Sequence, residues 1–175
     1  RFGVVPDMVT LAKALAGGLP SGAIGATDEV MAMVESGKVY QVGTYSGNPL
    51  SMAAARTSLE EVMTPDAYAH LNYLNDRLIR EMDAIAEKYD FPGYTVGISS
   101  KGCFNFATGK ITDYESFIKY QNEELCYLAW LYNMNRGVII APGREEEWTL
   151  SVQHTDEDID RYVNAFEGMV KEVLA

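Results

Sequence analysis

Basic runs, long apolar runs and cysteine are all scarce in this chain. Of its 175 residues, 14 are lysine or arginine against 25 aspartate or glutamate, a net charge of −11. No stretch gathers the positive charge that nucleic acid or an anionic membrane surface attracts, so neither is an expected partner. No apolar stretch approaches the roughly 20 residues that cross a bilayer, and no signal-peptide pattern is present. The two cysteines, Cys103 and Cys126, have neither metal-site spacing nor the density of a disulfide scaffold, and read as buried thiols in a reducing, cytoplasmic compartment. The two separated histidines make no ligand set, so no metal is expected. His70 reads as exposed on the polar face of a helix. His154, at the start of the last helix, serves the cap or orients a nearby loop.

Hydrophobic residues make up 47% of the chain, enough to build a core. Within them Lys13 is a lone cation in the run from Leu11 to Gly22, with Gly17 and Gly18 close behind it. A desolvated lysine loses its proton more easily and becomes an amine able to combine with an aldehyde, pyridoxal phosphate being the one to expect. The alternative is a lysine whose stem lies on apolar surface while its charge reaches water.

A second signal is Gly43-Thr44-Tyr45-Ser46-Gly47-Asn48-Pro49-Leu50, a loop that runs into a helix with Asn48 as N-cap and Pro49 as first helical residue. Backbone N–H groups at a helix start, the helix dipole and the Thr44 and Ser46 hydroxyls would suit a phosphate. A plain capped turn is the competing reading.

Taken together and in this order, the stretches Gly3 to Lys13, Gly17 to Ala23 and Gly43 to Leu50 resemble the class III family of pyridoxal-phosphate aminotransferases, most closely the branch containing glutamate-1-semialdehyde 2,1-aminomutase. A third match covers Asn135 to Pro142 and Ser151 to Asp160, while Thr64 to Thr112 matches only in pattern. The resemblance implies that Lys13 carries the cofactor as an internal aldimine, and that Thr44, with Gly43 beside it, binds the cofactor phosphate across the interface of a homodimer with a shared active site. It implies a small-molecule amino donor and an oxo acceptor. It also implies that the groups completing the site lie upstream of Arg1, so that the chain is expected to be a carboxyl-terminal piece.

The departures bear on substrate. Between Pro142 and Ser151 the chain reads Gly143-Arg144-Glu145-Glu146-Glu147-Trp148-Thr149-Leu150, where the aminomutase branch has a less charged loop with a single glutamate. Glu146 falls at that glutamate's position. Arg144 is the candidate for holding a substrate carboxylate, a bidentate task suited to a guanidinium, or else pairs with Glu145 to Glu147 at the surface. The altered loop favours a transaminase over the intramolecular amino transfer of an aminomutase. An inactive fragment, or a non-catalytic module that retains the motifs, is the remaining alternative.

Punctuation and periodicity set the expected elements. These are a strand or turn over 8–13, a buried strand over 23–27 and a helix over 28–35, then helices over 49–63 and 65–89. Strands over 94–99 and 103–108 flank a turn at Ser100-Lys101-Gly102. A helix over 114–135, short strands over 138–141 and 149–153 and a terminal helix over 156–174 complete the chain. The fold class is α/β: residues 1–62 as the end of a type I pyridoxal-phosphate transferase large domain and 63–175 as the small C-terminal α/β domain, a reading that rests on the resemblance.

Overall fold

The computed structural model describes residues 2–144 and 147–175. The fold mixes helix and sheet in two compact units, residues 1–65 and 66–175. Every described strand pairs antiparallel. Among the described residues no helix is long and apolar enough to cross a membrane, and no group of three or more metal-ligating side chains comes together.

In the first unit β1 (Met8–Leu11) pairs with β2 (Ala23–Ala26), Leu11 facing Ala23 and Met8 facing Ala26. A short 3-10 turn, Lys13–Ala16, leads out of β1. Helix α1 (Asp28–Glu35) follows β2 directly, with Asp28 and Glu29 in its first turn where the dipole favours acids. Helix α2 (Pro49–Thr57) continues into a π-helical turn, Ser58–Val62, closed by the Met63 N–H on the Ser58 carbonyl at 2.9 Å. The expected 49–63 helix is thus α only to Thr57, and Pro65 stands where a continued helix would need a donor. The expectation that residues 23–27 form a buried strand is corrected: β2 forms, but Ala23, Ile24 and Gly25 are exposed.

The second unit has a closed core. Helix α3 (Pro65–Lys88) buries Leu71, Leu74, Leu78, Met82 and Ile85, which recur at helical spacing along one face. Against it lie β3 (Tyr94–Ile98), β4 (Lys101–Asn105) and β5 (Glu147–Thr149), in that order across the sheet. Helix α6 (Asp156–Val173) adds Ile159, Phe166, Met169 and Val170, and the Phe104 and Phe166 rings meet at 4.7 Å. Arg77 of α3 binds Asp156 and Asp160 of α6 as well as Glu81 on its own helix.

Four boundaries differ from expectation. The β3–β4 turn is Ser99-Ser100, because Lys101 and Gly102 already pair with Ile98 and Gly97 on one side and with Thr149 and Trp148 on the other. The 114–135 helix is two, α4 (Tyr114–Tyr120) and α5 (Glu123–Met134), broken at Gln121 and restarted by the Asn122 side chain accepting the Leu125 N–H at 3.1 Å. The last strand lies at 147–149; beyond Leu150, the Ser151–His154 segment turns, with the His154 N–H on the Ser151 carbonyl. Residues 138–141 form no strand: Ile140 is buried but Ile139 is 85% exposed.

Candidate functional site

The antiparallel register of β1 and β2 closes the base of a loop running from Ala12 to Gly22. Lys13 is the second residue of that loop, and its backbone is left-handed, with φ 58°. For a non-glycine residue this conformation costs roughly 1–2 kcal/mol and persists only when surrounding structure imposes it. The imposing structure is the turn itself. Leu15 and Gly17 donate to the Ala12 and Ala14 carbonyls at 3.2 and 3.0 Å, Gly17 and Gly18 follow at φ 58° and 109°, and Ala16 is buried. The turn packs on α2 and on the π-turn after it, so both sequence motifs meet in one unit.

Lys13, however, is exposed, as are Ala12 and Ala14. The expected desolvated pocket is corrected: the small side chains of Ala12 and Ala14, on a turn that faces outward, cover nothing. The chain presents the amine rather than enclosing it.

The Thr44 loop is two tight turns in succession, Ser46 N–H on the Gly43 carbonyl at 3.0 Å and Asn48 N–H on the Tyr45 carbonyl at 3.2 Å. Gly43 lies close to Ser46: a Cβ there would sit 2.9 Å from Ser46 Oγ, the end of a side chain that can turn away. Asn48 caps α2 as expected, its Oδ1 accepting from Leu50 and Ser51 N–H at 3.0 and 3.2 Å. Met52 N–H goes to the Asn48 carbonyl, and Pro49 has no N–H. The helix start therefore offers its dipole but not the free amides expected of it, because Asn48 consumes them.

A cavity of about 380 Å³ opens beside this loop. It is lined by Thr44, Tyr45, Ser46 and Ser51 together with the Pro20–Gly22 segment that follows the lysine turn, and Lys13 is not among its lining residues. No lining residue is a carboxylate, in a chain with a net charge of −11. Ser21 Oγ is buried without a hydrogen-bond partner. Hydroxyl donors, one of them unmet, and freedom from nearby carboxylates fit the phosphate of pyridoxal phosphate. The sequence run around Lys13 contains Ser21, but nothing in its spacing marks it as a donor.

Of the residues expected on the substrate side, Arg144 pairs through Nη2 with Glu123 of α5 at 2.5 Å, and beside it Glu147 pairs with Lys101 at 2.9 Å. The Arg144 carbonyl accepts from Gln121 Nε2 at 2.7 Å, just before α5, and from Cys126 Sγ within it at 3.3 Å. The Glu123 carboxylate raises the pKa of the guanidinium. Glu146 lies outside the described residues. Cys126 is buried as expected, whereas Cys103 is half-buried in the sheet.

The histidines do more than expected of one of them. His70 is half-buried, not exposed, and its Nε2–H donates to the His154 carbonyl at 2.9 Å. His154 Nδ1 accepts the Ser151 N–H at 2.9 Å and so holds the turn before α6. The capping box that follows, Thr155 with Asp158, keeps the Asp158 carboxyl below its ordinary range through the Thr155 amide and hydroxyl.

The model of the aminotransferase class-III family matches residues 1–145. Glutamate-1-semialdehyde 2,1-aminomutase 2 of Brevibacillus brevis is 37% identical over 97% of this chain and 40% of its own length. The aminomutase of the same name from Halalkalibacterium halodurans is 39% identical over 94% of this chain and 38% of its own. Among solved structures, a β-phenylalanine aminotransferase from Variovorax paradoxus superposes with a TM-score of 0.88 at 27% identity, over 97% of this chain and 39% of that one. A glutamate-1-semialdehyde aminomutase from Pseudomonas aeruginosa PAO1 does so with 0.87 at 26% identity, over 98% and 40%. The chain thus spans about 40% of the length of these relatives.

Proposed function

Because the chain belongs to the class III aminotransferase family, we propose that it takes part in pyridoxal-phosphate-dependent transfer of an amino group from a small-molecule donor to an oxo acceptor. Lys13 holds the cofactor covalently through Nζ, and Gly43 and Thr44 hold its phosphate. The cofactor, when bound, supplies an electron sink for charge that develops on the substrate carbon. Lys13 Nζ, as a free amine, would take up the proton from that carbon and deliver it elsewhere within the site. Thr44 and Gly43 fix the anionic end, Thr44 by its hydroxyl and Gly43 by the close turn it allows. In this reading the protein is a homodimer in which the Thr44 loop of one protomer serves the site of its partner.

The observation that carries the reading is Lys13 itself. It is the one non-glycine residue of the described first unit with a left-handed backbone, it is exposed at the base of a register-locked loop, and it lies within the stretch matched by the family model. Backbone strain of this kind clusters at active sites.

A second reading, intramolecular transfer as in an aminomutase, is favoured by the 37% and 39% identity to relatives of that name. The charged stretch from Arg144 to Glu147 supports the transaminase reading instead.

The test is to add pyridoxal phosphate to the purified protein, follow its absorbance, trap the adduct with borohydride and map it. A stoichiometric adduct at Lys13 alone is the expected result. Weak labelling scattered over many lysines would overturn the assignment and favour an inactive fragment. With an adduct in hand, turnover of an amino donor only in the presence of a separate oxo acceptor separates transaminase from aminomutase.

A further inference from the structure

We propose that Ser21 is a further phosphate-binding residue, its hydroxyl acting with that of Thr44 on an anion in the cavity between the Pro20–Gly22 segment and the Thr44 loop. The inference rests on the cofactor reading above and extends it to a residue that reading does not use.

A buried hydroxyl that makes no hydrogen bond is costly, and native structures hold few of them. Ser21 Oγ is one: it is shielded from solvent, and no partner lies within reach. Serine at this position is not there to fill space, since alanine would occupy the same backbone without the unmet donor. Its surroundings say what the donor is for. Ser21 lines the same cavity of about 380 Å³ as Thr44 and Ser46, and no carboxylate lines it.

The usual anion donors at this place are already taken. Asn48 occupies the Leu50 and Ser51 amides through its side chain and the Met52 amide through its carbonyl. An anion seated beside the loop therefore draws on the hydroxyls and not on these helix-start amides. A serine side chain rotates among three staggered positions. A turn about χ1 that brings Oγ to the cavity would exchange an unmet donor for a charge-assisted hydrogen bond, which is stronger than a neutral one.

The experiment compares wild type, Ser21→Ala, Ser21→Cys and Thr44→Ala in the purified protein, titrated with pyridoxal phosphate and with pyridoxal, which lacks the phosphate. Both Ser21 variants are expected to bind pyridoxal phosphate about tenfold or more weakly, with pyridoxal unaffected. Unliganded Ser21→Ala is expected to melt no lower than wild type, because the hydroxyl it removes has no partner. A Ser21→Ala protein that keeps the wild-type preference for the phosphorylated form, while Thr44→Ala loses it, overturns the inference and leaves the cofactor reading standing. A lowered melting temperature with the preference intact overturns it as well, in favour of a structural hydroxyl. If wild type itself does not distinguish pyridoxal phosphate from pyridoxal, the cofactor reading fails and this inference with it. Should the alanine variant not fold, Ser21→Cys, close in size and a poor donor, separates the same outcomes.

Discussion

The indole N–H of Trp148 donates to Asn75 Oδ1 at 2.8 Å, Asn75 wholly buried and Trp148 nearly so. One hydrogen bond in the core thus ties the edge strand β5 to the middle of α3. Replacing Asn75 with leucine leaves the indole N–H buried and unpaired, a loss of about 1–3 kcal/mol. Urea unfolding followed by tryptophan fluorescence should show a lower midpoint, and an unchanged midpoint would mean that the bond contributes nothing net.

Gly102 lies directly beneath the same indole. A Cβ at this position would overlap Trp148 Cζ2 and sit 2.9 Å from the Val96 carbonyl. Gly102→Ala should therefore displace the ring or part β3 from β4, at about 1–3 kcal/mol or more. Thermal unfolding with near-ultraviolet circular dichroism checks both the stability and the tryptophan's packing.

The left-handed backbone at Lys13 sets stability against function. Lys13→Gly relieves the strain, so the unliganded protein should gain roughly 1 kcal/mol while losing covalent attachment of pyridoxal phosphate completely. A melting curve and borohydride trapping on one sample test the two halves together. Loss of stability in the glycine variant would show that the lysine side chain has a structural role.

Acid should loosen α6. Glu167 accepts hydrogen bonds from Lys88, Tyr89 and Lys171, and these hold its carboxyl at about 2, below the ordinary value of 4.5. A carboxyl depressed by folding adds stability in full above its unfolded value, and that contribution is lost as pH falls through the folded one. The Glu167 contribution is thus complete above about pH 4.5 and gone near pH 2. Glu167→Gln should be less stable than wild type at neutral pH, with the difference vanishing across that window. A constant difference would assign the acid sensitivity to other carboxylates.

Helices were legible wherever one residue both began them and fixed their face. Asn48-Pro49 begins α2 and Asp156 begins α6, both as read. Sheet register was less so. Ser100-Lys101-Gly102 has turn chemistry, but Gly102 is needed beneath Trp148, a contact 46 residues distant that no local pattern reveals. The break at Gln121 is set by the Phe106 carbonyl, which takes the Asn122 N–H at 2.7 Å. At the candidate site the sequence pointed to Lys13 and Thr44 as candidates but did not show the exposure of the first. It also hid the reach of Asn48 across the α2 amides, since a cap reads the same whether or not it leaves donors over.

The clasp of Arg77 on Asp156 and Asp160 joins residues up to 83 apart in sequence. During synthesis at roughly 5–20 residues per second, α3 waits about 4–16 s for α6 to follow it out of the ribosome. Through that interval α3 lacks its partner α6, and the Phe104 ring lacks Phe166. The nascent chain should therefore be a chaperone client from the time α3 emerges until residue 170 is free, and a translational pause within that span would lengthen its exposure.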